Sequence, residues 1–588
     1  MFWSWKARRL RISTAQLTPM HIEQLEIYNF RGIKKLVWHP GRGLNCLVGP
    51  GDSGKTTVLD AIEMLFSERT NINFDDLDFY DSSPANTIVI TAVVGGLSTD
   101  FLRENRYGML LSGFNVAARR WSGEPQEADG FVPALTLRLI VDESFEPTWF
   151  IFIAREPEDR TQRIRFADRK EMAPARLGAY AARHLSWGRG SALSRVGAHP
   201  EKLPAALNAL LRGARDAFAK DSSETFSEVV RAITPALANL GVKVQGQLAA
   251  NLDHTSFSTN ASGVALHDGN IPLRCMGTGS SRLAVAALQS ADSSGQHLFL
   301  VDELEFGLEP HRISLLMSHL RKRVEESGQA FITTHSTTVL REARFDEVFI
   351  CRRNDARSEV NISPASTAAT PALAAKQYIR DKGDALLART ILVCEGQTEV
   401  ALLKGFAEGT GMPFQARSAA LIDGGGSSTT QVALHFSRLG YRTAVLTDSD
   451  VPLSPVGVQE LTAARIPHFE WGDARCTEQE LFLGLEYAQR LQVLNLLARE
   501  VGQPRLLGET LGTLRQRFES LEQLGTRLAD NDFARQFGAL AHSGRWIKRD
   551  YDLCFEIGAN VVHWQHVLGG GSIVGHLENI FRWLDADD

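Results

Sequence analysis

Residues 47–57 read LVGPGDSGKTT, a glycine-rich turn held between a short apolar run and a helix-forming stretch. The run before it, LNCLVG (Leu44–Gly49), has the length and composition of a buried strand, and Lys55–Phe66 spaces its apolar residues as a helix does. The turn satisfies G-x-x-x-x-G-K-[ST]. Its glycines let backbone N–H groups wrap phosphate, the lysine reaches the β and γ oxygens, and the threonine hydroxyl ligates Mg²⁺. Gly49, Gly51, Ser53, Gly54, Lys55, Thr56 and Thr57 are therefore the expected ATP contacts, and the surrounding fold is expected to be α/β.

Working outward, TIVITAVV (Thr87–Val94) continues the strand pattern, and HLFLVDELEFGLEPH (His297–His311) sets two acids at the end of a strand. There Asp302 would hold Mg²⁺ and Glu303 would orient or deprotonate the attacking water. FITTH ends the next strand at His335, and MGTGSSRLAVAAL (Met276–Leu288) places a glycine-rich turn directly before a helix. Taken singly, an acid or a histidine at a strand end is commonly structural. In this order the four elements resemble the ABC-type ATPase heads of the SMC and RecF group. The resemblance implies that Gly277, Gly279 and Ser280 form the signature loop, which reaches across a dimer to a γ-phosphate. It also makes Glu309 the D-loop acid and His335 the switch histidine. The chain departs from the pattern at two points: Gly277 stands where a serine is expected, and no glutamine lies between Thr57 and Gln126 to serve as a Q-loop.

A second acidic cluster stands apart from the nucleotide motif. LVCEGQTE (Leu392–Glu399) puts Glu395 at a strand end with Glu399 one helical turn on, and RTAVLTDSDV (Arg442–Val451) ends a later strand in Asp448 and Asp450. These four carboxylates converge on one rim of a parallel sheet, where ligand sites usually lie. Packed carboxylates repel unless cations sit between them, and oxygen-only donors favour Mg²⁺ or Mn²⁺ over zinc.

Glu395, Glu399, Asp448 and Asp450 are thus expected metal ligands. E-G-x-x-E followed by D-x-D on a βαβαβ core resembles the Toprim domain, and an ABC head followed by Toprim resembles the OLD-family nucleases over nearly the whole chain. That resemblance implies two metal ions in the Toprim site, beside the one at Thr56 and Asp302, and cleavage of phosphodiester bonds in DNA. Asp448 and Asp450 would be central to that chemistry, and Lys548 in RWIKRDY (Arg545–Tyr551) would stabilise charge at the scissile phosphate. Glu480, or in second place Glu478, both in CTEQELFLGL (Cys476–Leu485), would add a carboxylate, and Asp423 in IDGGGSS (Ile422–Ser428), at the end of the middle strand, would approach a metal. Arg545, Arg549 and the run RTQRIRFADRK (Arg160–Lys170) are candidate phosphate-backbone contacts.

Composition sets the outer bounds. At 588 residues, 44% of them apolar, the chain exceeds one hydrophobic core and is expected to fold as two to four domains. A net charge of −6 excludes a uniformly basic coat, so a polyanion must be met by a local patch. Six scattered cysteines without a C-x-x-C pair, and no 18-residue apolar run, lead us to expect a cytoplasmic protein with no membrane partner.

The organisation read from the sequence is an extension (1–19), an ATPase head in two halves (20–160 and 266–362), a helical insertion that dimerises (161–265), a linker (363–385) and a Toprim domain with a helical insert (386–588). The fold class is accordingly an ABC-type P-loop head followed by a Rossmann-like Toprim domain. The implied partners are DNA, a second copy of the chain and a helicase-type protein, with a role in anti-phage defence implied by the resemblance alone. Two other readings keep the same folds: an ATP-dependent DNA clamp or repair ATPase that does not cut, and a strand-passage enzyme using Tyr441, Tyr487 or Tyr551 as nucleophile.

Overall fold

The structure is a computed structural model. It describes residues 19–586 apart from 69–71, 126–129, 154–161, 179–183, 187–190, 194–201, 222, 240–263, 292–296, 355–357, 367–371, 473, 549 and 563–572. The expected N-terminal extension therefore lies almost wholly outside the described residues.

Every residue of the P-loop strand Leu44–Val48 is buried, and its apolar run is what a strand covered on both faces requires. It lies parallel to Gln329–Thr333 on one side and Val348–Asn354 on the other. Beyond Gln329–Thr333 come Leu298–Val301 and then, at the edge, Ala175–Leu177, both parallel to their neighbours. On the far side the same sheet runs through Glu359–Pro364 and Ile33–Trp38 into antiparallel strands His21–Phe30, Ile88–Gly95 and Phe131–Val141. Gln329 rivets the two ends of the head: its amide nitrogen donates to Ile22 and Gly41 carbonyls, and its oxygen accepts from the Ile22 N–H at 2.9 Å.

A separate parallel sheet of four strands follows, in the order Ala419–Asp423, Thr390–Cys394, Arg442–Thr447, His468–Glu470. Helices Gln397–Gly409 and Thr429–Arg438 connect its first three strands in chain order, so the ends carrying Glu395, Asp423 and Asp448 share one rim. The helices Thr477–Gly484, Asn531–Ser543 and Tyr551–Asn560 close over that rim. The two sheets are not insulated from each other. One apolar cluster joins Val48, Val301 and Ile332 of the head to Ile391, Val393, Val432 and Val445 of the second sheet.

Two expectations need correction. The segment 161–265 is not purely a helical insertion: helices Lys202–Asp221 and Ser223–Asn239 are present, but Ala175–Leu177 is a strand of the head sheet. Three residues with an arginine in the middle carry too little periodicity to be read as a strand. The linker at 363–385 is also more structured than its small-residue composition suggests. Ser363 and Pro364 finish the strand Glu359–Pro364, and Ala372–Asp381 is a helix.

Candidate functional sites

The P-loop is shaped by contacts that only glycine tolerates. A Cβ on Gly49 would stand 2.1 Å from the Cys351 carbonyl oxygen, and Gly54 takes φ +93° where it opens the helix Lys55–Leu65. Lys55 is buried and donates to the carbonyls of Gly49 (3.0 Å) and Pro50 (2.7 Å), within the loop that would cradle phosphate. Burial holds its pKa below the usual lysine value, against the raising influence of Cys351, Asp52, Glu305 and Asp302. An incoming phosphate supplies the opposite charge that this ammonium lacks.

Around it stands Asp302. Its Oδ1 accepts from the Thr56 hydroxyl at 3.1 Å and the Thr333 hydroxyl at 2.7 Å, which brings the two expected Mg²⁺ ligands together. The donor set fits Mg²⁺: a hydroxyl and a carboxylate beside a phosphate cradle. Arg176, on the edge strand, takes the other oxygen, Oδ2, at 3.2 Å and also binds Asp60 and Glu63. Glu303 adopts φ +44°, a left-handed conformation unusual for a non-glycine residue. It is held there by Arg282, which donates to the carbonyls of Asp302 and Glu303, and by Thr333 Oγ1, which accepts the Glu303 N–H. Such enforced backbone strain at a strand end is a mark of a working site.

The signature turn packs directly against this segment. A Cβ on Gly279 would lie 2.1 Å from the Gly307 carbonyl oxygen, whereas one on Gly277 meets nothing, so the missing serine leaves an open position. Arg312 donates to Ser280 Oγ and pairs with Glu309. His335 is exposed, with its pKa lowered by partial burial and by Lys55, and its backbone N–H donates to Glu305 at 2.7 Å. Glu305 also accepts from the Thr334 hydroxyl, so it anchors the end of this strand. The strand beside Leu298–Val301 is Ala175–Leu177.

At the second sheet the structure gathers the expected carboxylates. Glu395 Oε2 accepts the Asp448 N–H at 2.8 Å, tying two strand ends together. Glu399 Oε2 accepts the Gly396 N–H, while its Oε1 and Asp448 Oδ1 both contact the Thr477 hydroxyl, at 2.7 and 2.5 Å. That hydroxyl already accepts from the Trp471 indole and has a single proton to give. One of the two carboxylates must therefore carry a proton or face a cation. Burial, then the neighbouring Glu399 charge, push Asp448 up to about 8; burial likewise raises Glu399. The donor set thus fits hard divalent cations, which would replace the proton.

Asp450 is partly exposed, with Oδ1 accepting from the Val451 N–H and Oδ2 3.7 Å from His542 Nε2. Lys548 is brought to the same place, its Nζ 3.2 Å from that nitrogen. The two candidate glutamates have different partners. Glu480 pairs with Arg475 at 3.1 Å, whereas Glu478 reaches His542 Nδ1 at 2.9 Å, because residues two apart on a helix point to different sides. Asp423 is turned elsewhere, its oxygens accepting from Gly425 N–H and the Gln397 amide.

Of the proposed phosphate contacts, Arg169 is buried and lies over the Trp149 ring, while Arg163, Arg165, Lys170 and Arg545 are exposed; Arg549 is outside the described residues. Thr477, His542, Arg176 and Glu305 were not found from the sequence. A threonine or histidine far from its partners along the chain gives no local signal; only the D-E-L-E spacing hinted at Glu305.

An ATP-binding α/β head joined to a parallel sheet rimmed with carboxylates defines an ATPase carrying a Toprim domain. Family comparisons agree: residues 20–98 match an AAA ATPase domain, and residues 143–341 match an AAA domain described with AbiEii toxin, Type IV TA system. Residues 386–450 match the TOPRIM domain of overcoming lysogenization defect protein-like proteins. The chain has the ATPase-then-Toprim architecture of the OLD nucleases.

Among curated proteins, the DNA replication and repair protein RecF of Nitrosococcus oceani is 50% identical over 46 residues, 8% of this chain and 13% of that protein. RecF of Moorella thermoacetica is 39% identical over 54 residues, 9% and 15%. The chain thus spans only a small part of the length of these relatives. Among solved structures, the Smc head domain of Pyrococcus furiosus bound to the C-terminal domain of ScpA is 13% identical, with a TM-score of 0.33, over 62% of this chain and 99% of that one. The SMC head domain of Thermotoga maritima is 14% identical, with a TM-score of 0.28, over 59% and 100%. Among the described residues no helix is long and apolar enough to cross a membrane.

Proposed function

We propose that the protein is an ATP-regulated, metal-dependent DNA endonuclease that works as a homodimer. The observation that carries this reading is the Thr477 hydroxyl held between Glu399 and Asp448, which marks a carboxylate cluster short of positive charge. Two bound divalent ions would supply a nucleophilic hydroxide and stabilise the leaving oxygen. Glu395, Glu399, Asp448 and Asp450 hold and space the ligand oxygens, with Glu478 behind them. Thr477 fixes the rotamers of the two buried acids. Lys548 offers an exposed ammonium at the lip for the phosphate. In the head, Lys55 and Thr56 bind the nucleotide, Asp302 supports its Mg²⁺, and Glu303 directs water.

Of the three tyrosines that strand passage could use, Tyr441 is withdrawn, its hydroxyl donating to the Leu386 carbonyl at 2.7 Å within the core under the Arg352 guanidinium, whereas Tyr487 and Tyr551 are exposed. Cleavage in place of binding alone is supported by the presence of all four carboxylates. The test is incubation of the purified chain with supercoiled plasmid under Mg²⁺, Mn²⁺ or EDTA, with and without ATP. Nicked or linear product that EDTA abolishes is the expected result; DNA binding without cleavage under either ion would favour a clamp.

A further inference from the structure

We propose that His542 is a ligand of the Toprim centre: its Nε2 joins Asp448 and Asp450 in a mixed nitrogen–oxygen site that prefers Mn²⁺ to Mg²⁺. The inference rests on the reading of this rim as a metal centre. Ligand atoms of Asp448, Asp450 and His542 all lie within 4.8 Å of one another. Two donors about 2.1 Å from a common ion stand about 3–4 Å apart, so a small closure brings the three onto one cation.

The other ring nitrogen gives the independent sign. Nδ1 lies 2.9 Å from Oε2 of Glu478, a carboxylate with no solvent exposure whose Oε1 makes no hydrogen bond. A carboxylate that fixes the imidazole tautomer and aims the opposite nitrogen at acidic side chains is the arrangement that orients metal-bound histidines. The placement is firm. His542 ends the helix Asn531–Ser543, and this helix meets Thr477–Gly484 so closely that a Cβ on Gly538 would stand 2.7 Å from the Gln479 Cα. An imidazole in an otherwise oxygen-only set favours Mn²⁺, which accepts nitrogen more readily than Mg²⁺ does. Because Lys548 Nζ stands 3.2 Å from the same Nε2, an ion there displaces the ammonium toward the lip where the phosphate would arrive.

Mn²⁺ titrated into the full chain without nucleotide, followed by pulsed electron paramagnetic resonance, tests this directly on the wild type. A ¹⁴N coupling from a bound imidazole is expected. His542→Gln should lose that coupling and weaken Mn²⁺ binding about 10–100-fold, with a smaller effect on Mg²⁺. Glu478→Gln, which keeps an acceptor for Nδ1–H, should retain the coupling. Bound Mn²⁺ without nitrogen coupling in the wild type, or unchanged Mn²⁺ affinity in His542→Gln, overturns the assignment of His542. Absence of any Mn²⁺ binding by the wild type overturns the metal-centre reading itself.

Discussion

The two sites occupy equivalent places, at the C-terminal ends of parallel strands, yet they solve opposite electrostatic problems. The head site is furnished with cations: Lys55 lies in its own loop, Arg176 holds Asp302, and Arg282 clamps the backbone of Asp302 and Glu303. It is organised to receive an anion, and its own acid is already compensated. The Toprim site presents Glu395, Glu399 and Asp448 to one another with a threonine hydroxyl between two of them, and Lys548 stands exposed beside it, next to His542. It is organised to receive cations. A single fold rim therefore carries anion chemistry where backbone N–H groups line it and cation chemistry where carboxylates do.

If the difference is real, removing a carboxylate and removing a cation must fail in different assays. The largest effect is expected at the Toprim rim: Asp448→Ala or Asp450→Ala should lower DNA cleavage by at least ~10³-fold, since metal-generated hydroxide and leaving-group stabilisation are lost together. ATP hydrolysis by either variant should stay at the wild-type rate, measured as phosphate release. A double variant that still nicks plasmid normally would end the nuclease reading. In the head, Lys55→Ala should abolish nucleotide binding in a fluorescent-ATP titration, and Glu303→Gln should bind ATP but hydrolyse it about 10²-fold more slowly. Lys548→Ala, which removes one charge contact but leaves the carboxylates, should cost cleavage about 10²-fold.

How much of this could be read in advance divides along the same line. The P-loop was legible because its function is carried by contiguous backbone, and the required glycines print themselves in order. E-G-x-x-E and D-x-D were legible because helix and strand periodicities fix which way those acids point. The supporting residues were not. Arg176 sits on a three-residue strand inside what looked like a helical insertion, and reaches Asp302 from 126 positions away. Thr477 and His542 come from helices whose docking is decided by packing such as Phe482 against Phe537, not by local pattern. The separate partners of Glu478 and Glu480, His542 and Arg475, were equally hidden. The shared core between the sheets was hidden behind a linker-like composition.

Arg176 offers a finer probe of the head. It is the group that balances Asp302, Asp60 and Glu63 at once. Arg176→Gln should slow ATP hydrolysis about tenfold through misplacement of Asp302, with nucleotide affinity nearly kept, because no phosphate contact is lost. Equal losses in binding and turnover would instead make it a phosphate ligand.

The smallest expected effect is on stability, and it separates the two sites by pH. Asp448 is raised to about 8 in the folded protein, first by burial and then by the Glu399 charge, against an ordinary value of 3.8. Between those two values the metal-free native state holds a proton that the unfolded chain has released. Stability therefore falls as pH rises from about 4 towards about 8, since unfolding is favoured wherever the unfolded state binds fewer protons. Asp448→Asn removes the titrating group at nearly constant shape, and the neutral amide can still meet the Thr477 hydroxyl. Metal-free Asp448→Asn should accordingly melt a few degrees higher than wild type at pH 8, and the advantage should vanish near pH 4, where both side chains are neutral. Added Mn²⁺ should reverse the order at pH 8, because only the wild type exchanges its proton for the ion. A thermal scan in EDTA at the two pH values, repeated with Mn²⁺, decides it. A wild-type protein whose melting temperature rises steadily from pH 4 to pH 8 without metal would show that the cluster is not short of positive charge, and the contrast between the two sites would collapse.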